Sequence, residues 1–326
     1  MSNPFIRRRS LLQRASLLPL CALPASWAST APGRLRGLQL VVPTPAGTQP
    51  DVIARWVAEP LAYKAGVPVL VVNVPGASGA LAVDTVLRAS PDSGALLLGG
   101  LDHVAYSHLN SDRRAMDPFV DFTPVAAVNR DSWVIVTSSD APAVSLQALV
   151  VQSQRAPLNY ASTGEGSTAH LLAARLSEAL GLKNAQHVPY STPWIPDMLA
   201  GRIQFAVVPV PSVAPHLRSG RMIALASLTG ERLALPGNPP SIRELGLPDQ
   251  IFHGGLFLFA PAALSPLAPQ LNAWFRDVVG HADMRRRYQD VSIEPVLSDL
   301  RETGALVRER LERVDTMRLA VFGRTR

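Results

Sequence analysis

Short apolar runs alternate along this chain with stretches whose apolar residues recur every three or four positions. The runs at 38–42, 69–72, 95–98, 133–137, 203–208 and 222–227 read as strands, most of them too apolar for a sheet with one wet face. Such runs predict parallel sheets covered on both sides. The stretches at 51–64, 80–89, 146–154, 168–180 and 196–200 carry helical periodicity. Strand–helix alternation of this kind is an α/β architecture with right-handed crossovers. A long amphipathic helix is expected over 297–321, and its Arg- and Glu-rich face reads as a solvated surface.

At 326 residues the chain exceeds ordinary single-domain size, yet no repeat, low-complexity linker or charge block divides it. Two domains without a linker require the chain to cross between them inside ordered strands. The expected crossings lie near 128–135 and 222–227. They assign residues 29–130 plus 226–326 to one discontinuous lobe and 131–225 to the other.

Composition changes this picture mainly at the N-terminus. Hydrophobic residues make up 47% and charged residues 17%, enough apolar side chains to build a large core and too many for a disordered chain. Arg7, Arg8 and Arg9 precede an apolar stretch that closes at Ser26-Trp27-Ala28, so residues 1–28 read as a signal peptide removed on export. Gln13 and Arg14 interrupt the stretch, which is also short for a transmembrane helix. Arg8-Arg9-Ser10-Leu11-Leu12 resembles a twin-arginine signal, and an ordinary secretory signal fits equally. The segment holds four arginines and no acid, so its removal lowers the net charge from +6 to +2. No basic footprint for nucleic acid then remains. Cys21, the sole cysteine, goes with the segment, and Leu20 before it is not the small residue a lipid anchor needs. Neither disulfide nor thiol chemistry is expected in the exported protein.

Two glycine-bearing loops each feed a predicted helix: Val42-Pro43-Thr44-Pro45-Ala46-Gly47-Thr48-Gln49-Pro50-Asp51, and Tyr160-Ala161-Ser162-Thr163-Gly164-Glu165-Gly166-Ser167-Thr168. Free amides and the positive end of the helix dipole attract an anion there, and glycine lets the backbone approach it. Either loop alone is also an ordinary helix start, with Ser167 a good cap and Pro50 a good first-turn residue. One in each lobe, facing across a cleft, could hold a carboxylate from both sides, where open α/β sheets bind their ligands.

Catalytic patterns are missing. Gly164-Glu165-Gly166-Ser167 lacks the Gly-Lys-Ser/Thr ending of a phosphate loop, and neither Ser162 nor Ser167 sits in a Gly-x-Ser-x-Gly elbow. The seven histidines are scattered, and no dinucleotide fingerprint follows a strand. No catalytic residue, metal site or cofactor is expected.

The loops, together with Val71-Val72-Asn73-Val74-Pro75-Gly76-Ala77-Ser78-Gly79, Ala89-Ser90-Pro91-Asp92-Ser93-Gly94, His187-Val188-Pro189-Tyr190, Pro211-Ser212-Val213-Ala214-Pro215-His216 and Leu256-Phe257-Leu258-Phe259-Ala260-Pro261, resemble the Bug family. These are the substrate-binding receptors of tripartite tricarboxylate transporters. The resemblance implies a periplasmic binding protein fold of type II-like form, two α/β lobes joined by crossing strands with the ligand cleft between them. It implies a small organic acid or amino-acid-like ligand, membrane transporter subunits as partners, no nucleic acid, and a monomer in the periplasm. A sensor that reports occupancy to a signalling partner would use the same binding chemistry. A hydrolase or transferase built on the glycine loops is the remote alternative.

Carried over by motif, the ligand-facing residues are Thr44, Ala46, Gly47, Thr48, Gln49 and Asp51 in the first loop, and Ala77 and Ser78 in the glycine turn. In the second loop they are Ser162, Thr163, Gly164, Glu165, Gly166 and Ser167, with Tyr190, Trp194 and His253 beyond. Four departures bear on specificity. Thr48, Gln49 and Pro50 stand where the family has a second glycine and small residues. Ser191-Thr192-Pro193-Trp194 replaces the residues usual after the tyrosine, Val207-Val208-Pro209 lacks the usual polar residue, and His253-Gly254 stands for an aromatic pair. A ligand with an aromatic or apolar part beside one carboxylate is thus expected, packed on Trp194. Glu165 is expected to point to solvent or complement the helix dipole, unless it receives a ligand ammonium; His170 is expected to pack or cap.

Overall fold

The computed structural model describes residues 35–105, 116–291 and 293–323; the expected signal peptide and Cys21 lie outside them. The chain begins with β1 (Leu38–Val42), α1 (Gln49–Ala65), β2 (Val69–Asn73), α2 (Ala80–Arg88), β3 (Ala95–Gly99), α3 (Leu101–Ala105) and β4 (Phe122–Ala127). β1 pairs in parallel with β2 and β3. β3 is buried at all of its positions, which is why Ala-Leu-Leu-Leu-Gly is apolar without alternation. β2 closes the edge and leaves Leu70 exposed.

Only Val128 separates β4 from β5 (Asn129–Ser138), and β5 belongs to another sheet. There follow α4 (Leu146–Ser153), β6 (Leu158–Ser162), α5 (Thr168–Ala179), β7 (Ala185–Pro189), α6 (Ile195–Leu199), β8 (Phe205–Pro209), α7 (Ala214–Arg218), β9 (Met222–Ser227) and β10 (His253–Gly254). After Gly255 and Leu256 the chain re-enters the first sheet as β11 (Phe257–Pro261), and it ends through α8 (Ala268–Gly280), α9 (Ala282–Gln289), β12 (Ile293–Pro295) and α10 (Leu300–Phe322).

Among the described residues the first sheet has the order β2-β1-β3-β11-β4, and the second β10-β5-β8-β6-β7 with β9 and β12 also on β5. Both sheets are mixed, unlike the parallel sheets the apolar runs predict. β11 runs antiparallel to β3 and β4, and β5 antiparallel to β8, β9, β10 and β12. The first passage between sheets falls at Val128. The second falls at Gly255-Leu256, while the strand Met222–Ser227 pairs with β5 inside the second sheet.

Helix ends follow local chemistry. Pro50 occupies the first turn of α1, where its missing N–H costs nothing, and Gly66 ends the helix at φ 67°. Asp299 and Glu302 form a reciprocal capping box that starts α10 at Leu300, three residues after the predicted start. α10 packs on β4 and also on α5. Its Val307 is buried in an apolar cluster with residues of β3, β4 and β11, whereas Val314 and Met317 are buried with residues of α5 and β8. The helix therefore spans from one sheet to the other.

Candidate ligand-binding site

The β1–α1 loop is braced from within. Gly47 adopts φ 83°, and its N–H donates to Asp51 Oδ2 at 2.9 Å. Burial alone would raise Asp51, but Arg55, the Gly47 amide and Asn73 outweigh it and hold the carboxyl below its usual range. Thr44 and Thr48 share a 2.6 Å hydroxyl contact, and Thr48 Oγ1 donates to the Pro45 carbonyl. Asn73 Nδ2 ties the Thr44 carbonyl to β2. The Gln49 amide, at the helix start, donates to Ser212 Oγ at 2.8 Å.

The β6–α5 loop is braced differently. Ser162 Oγ accepts the Gly164 amide at 3.0 Å and lies 2.6 Å from His187 Nε2. His187 stacks on His170 with ring centroids 3.8 Å apart, and His170 Nδ1 accepts the Gly166 amide. Burial pulls both imidazoles down to about 4, with His187 adding to the effect on His170. A base that weak does little to activate the Ser162 hydroxyl, so this contact acts as a brace. At the start of α5, Ser167 Oγ accepts the His170 amide, and the Thr168 amide donates to the carboxylate of Asp102 from α3 at 2.8 Å. Ala77 and Ser78 both have positive φ, and Ser78 Oγ donates to the Glu165 carbonyl at 2.7 Å.

Between these loops lies a cavity of about 610 Å³. Of the residues chosen from sequence, Thr44, Thr48, Gln49, Ser162, Thr163, Trp194 and His253 line it. Asp51, Gly164 and Ser167 are buried in the loops behind the wall; Ala46, Gly47 and Glu165 are exposed. Ala77, Ser78 and Gly166 lie in the loop contacts just described, and Tyr190 turns its hydroxyl to Asp197 at 2.6 Å. His170 packs, as expected, in the histidine stack.

The floor holds groups that sequence reading missed. Asp131 of β5 is buried and accepts from Gln49 Nε2, from Trp133 Nε1 at 2.7 Å and from Asn129 Nδ2 at 3.3 Å. Burial pushes its carboxyl up, although these donors and Arg310 oppose the shift. Arg310 of α10 also faces the cavity, with its guanidinium carbon 5.2 Å from the centre of the Phe257 ring. Its Nη1 is buried and has no hydrogen-bond partner. Burial pulls the guanidinium down, against the attraction of Asp131. Glycines make the room: a Cβ on Gly254 would meet Asp131 Oδ1 and Trp133 Nε1 at 2.3 Å, and one on Gly255 would meet Arg310 Nη1 at 2.1 Å. Trp133, Phe252 and Phe257 add aromatic surface beside Trp194.

One signal for Arg310 was available. It stands three residues after Val307 and four before Val314, on the buried stripe that continues to Met317. A charge at such a position marks either a partner or a site. Asp131 carried no comparable signal, since it stands in the polar run Asn129-Arg130-Asp131-Ser132, and Asp102 lies on a helix too short to show a buried stripe.

Comparison with known proteins gives a consistent picture. The family described as tripartite tricarboxylate transporter family receptor matches residues 53–320. Protein BugT of Bordetella pertussis is 29% identical over 300 residues, covering 90% of each chain. MatC of Rhodopseudomonas palustris, solved with bound malate, superposes with a TM-score of 0.79 at 26% identity, over 86% of this chain and 98% of its own. Rpa4515 of the same organism, solved with adipate, gives 0.78 at 25% identity, over 89% and 98%. The fold is accordingly that of the type II-like periplasmic binding proteins.

Proposed function

The chain belongs to the tripartite tricarboxylate transporter receptor family, and from that premise we propose that it captures a small carboxylate-bearing metabolite outside the cytoplasm and hands it to membrane transporter subunits. The observation that carries this reading is the single cavity into which both glycine loops project: Thr48 and Gln49 from one, Ser162 and Thr163 from the other. Its volume suits a small organic ligand, and polar groups converge on walls that are otherwise aliphatic and aromatic. The malate and adipate in MatC and Rpa4515 support a carboxylate as the ligand class.

The chain binds and does not catalyse. The brace role of the Ser162–His187 pair, whose imidazole is held near 4, supports this. The two sheets form the hearts of two lobes, with boundaries at the sheet changes, Val128 and Gly255, and the ligand between them. Residues 1–28 direct export to the periplasm, by the twin-arginine or the general route, and the exported protein acts as a monomer without nucleic acid. No described helix is long and apolar enough to cross a membrane.

Thermal unfolding of the purified protein against small carboxylates, amino acids and aromatic acids tests the reading. A true ligand at a hundredfold over its Kd adds about 2.7 kcal/mol of stability. A shift confined to carboxylates supports a carboxylate receptor, and no shift with any of them counts against it.

A further inference from the structure

A ligand carboxylate needs donors that the protein has not already spent. At the start of α5 the Thr168 amide is held by the Asp102 carboxylate, and at the start of α1 the Gln49 amide is held by Ser212. Gln49's side-chain amide and the Trp133 indole are both committed to Asp131. Two of the helix-end amides that the sequence nominates as the anion grip, those of Gln49 and Thr168, thus already have acceptors within the chain.

Arg310 is the opposite case. Its Nη1 is buried and has no hydrogen-bond partner, an arrangement that is costly until a ligand completes it. Asp131 attracts the guanidinium electrostatically, but its oxygens are occupied by Gln49, Trp133 and Asn129. The room around the guanidinium comes from Gly255, where a Cβ would strike both Nη1 and the Asn129 carbonyl. The position is also rigid, because Val307 on one side of Arg310 and Val314 on the other are buried in different apolar clusters.

We propose that Arg310 anchors the ligand carboxylate and that the site selects a monocarboxylate with an apolar, ring-sized body. The proposal rests on the receptor reading above. The guanidinium supplies a charge-assisted donor in a desolvated corner, where such bonds are strongest. The body of the ligand packs among Trp133, Trp194, Phe252 and Phe257. The cavity's charged lining sets Asp102, Asp131, Glu294 and Glu309 against Arg130, Arg310 and Arg313, so with Arg310 taken by the first carboxylate a second one meets more acids than bases.

The test uses 3-phenylpropionate, its neutral amide, malate and adipate as probes, titrated calorimetrically into wild type, Arg310→Gln and Arg310→Lys. Wild type should bind 3-phenylpropionate and ignore the amide. Arg310→Gln should lose roughly thirty-fold or more in affinity, and Arg310→Lys should keep part of it. Removing Arg310 also takes away the charge that opposes buried Asp131, so Arg310→Gln should melt lower without probe. The anchor is therefore read from the discrimination between 3-phenylpropionate and its amide, which Arg310→Gln should abolish and a purely structural arginine would leave unchanged. Equal affinity of wild type and Arg310→Gln for 3-phenylpropionate overturns the anchor and leaves the receptor reading intact. Tighter binding of malate or adipate than of 3-phenylpropionate overturns the monocarboxylate selection. If wild type binds no carboxylate at all, the receptor reading and the anchor fall together.

Discussion

The β1–α1 and β6–α5 loops look alike as sequence, each a Ser/Thr- and Gly-bearing turn running into a helix, yet they are held in different ways. The tip of the first is braced from within, where Gly47, Thr48 and Asp51 bond inside the loop and Arg55 one turn later stabilises the Asp51 charge, while Asn73, Ser212 and Asp131 tie down its two ends. The second depends on the rest of the molecule, through Ser78 on the Glu165 carbonyl, Asp102 on the Thr168 amide and a stack of two neutral histidines beneath it. Equivalent motifs therefore need not be equivalent sites. A helix start attracts any acceptor, including one from the same chain.

The sharpest way to break the comparison is to place alanine at the matching glycines. A Cβ on Gly164, at φ 139°, would sit 2.5 Å from Ser78 Oγ and 3.1 Å from its Cα, whereas one on Gly47 meets nothing within 4 Å. Gly164→Ala should cost about 3 kcal/mol in chemical denaturation, combining backbone strain with a clash against backbone. Gly47→Ala should cost only the left-handed conformation, about 1 kcal/mol. Equal losses would show that the second loop does not lean on the Ala77–Gly79 turn.

Acid should also distinguish the loops. His170 and His187 are held near 4 in the folded chain, below their ordinary 6.5, so the unfolded chain binds more protons between those values. Their contribution is fully present above pH 6.5 and is lost as the pH falls toward 4. Melting temperature should drop over that interval, and His187→Gln, which cannot titrate, should flatten the slope. Asp51 is held low instead, so the first loop keeps its stabilisation until the pH falls through the ordinary carboxylate range. An unchanged slope in His187→Gln would remove the histidine pair from this account.

A smaller effect is expected at Asp102. Asp102→Ala frees the Thr168 amide and should lower stability by about 1 kcal/mol, the usual worth of a helix-end acceptor. The same variant should improve adipate binding relative to 3-phenylpropionate by a few-fold in a titration. If the ratio does not move, Asp102 is a brace and not part of selectivity. The smallest effect belongs to Glu165, which is exposed at the loop tip. Glu165→Gln should strengthen an anionic ligand by less than about twofold, and a large change would place the side chain in the cavity.

Local patterns were enough for most of the elements. Unbroken apolar runs such as 95–98 are short enough to read as strands covered on both faces, and proline and glycine set the ends of α1 without tertiary help, although the capping box that starts α10 was not read. The family, the alternation of strands and helices, and seven of the cavity-lining residues were likewise legible, because they sit in loops whose composition is itself the signal. Pairing direction and the second passage at Gly255 were not legible, since strand composition does not record the direction of its neighbour. Nor was the character of the site. Asp102, Asp131 and Arg310 come from α3, β5 and α10, far apart in sequence, and only folding brings them to one cavity. Sequence determined where anions could be held, by supplying amides, hydroxyls and charges. Tertiary structure decided which of those donors the protein consumes internally and which, at Arg310, it keeps buried and unpaired.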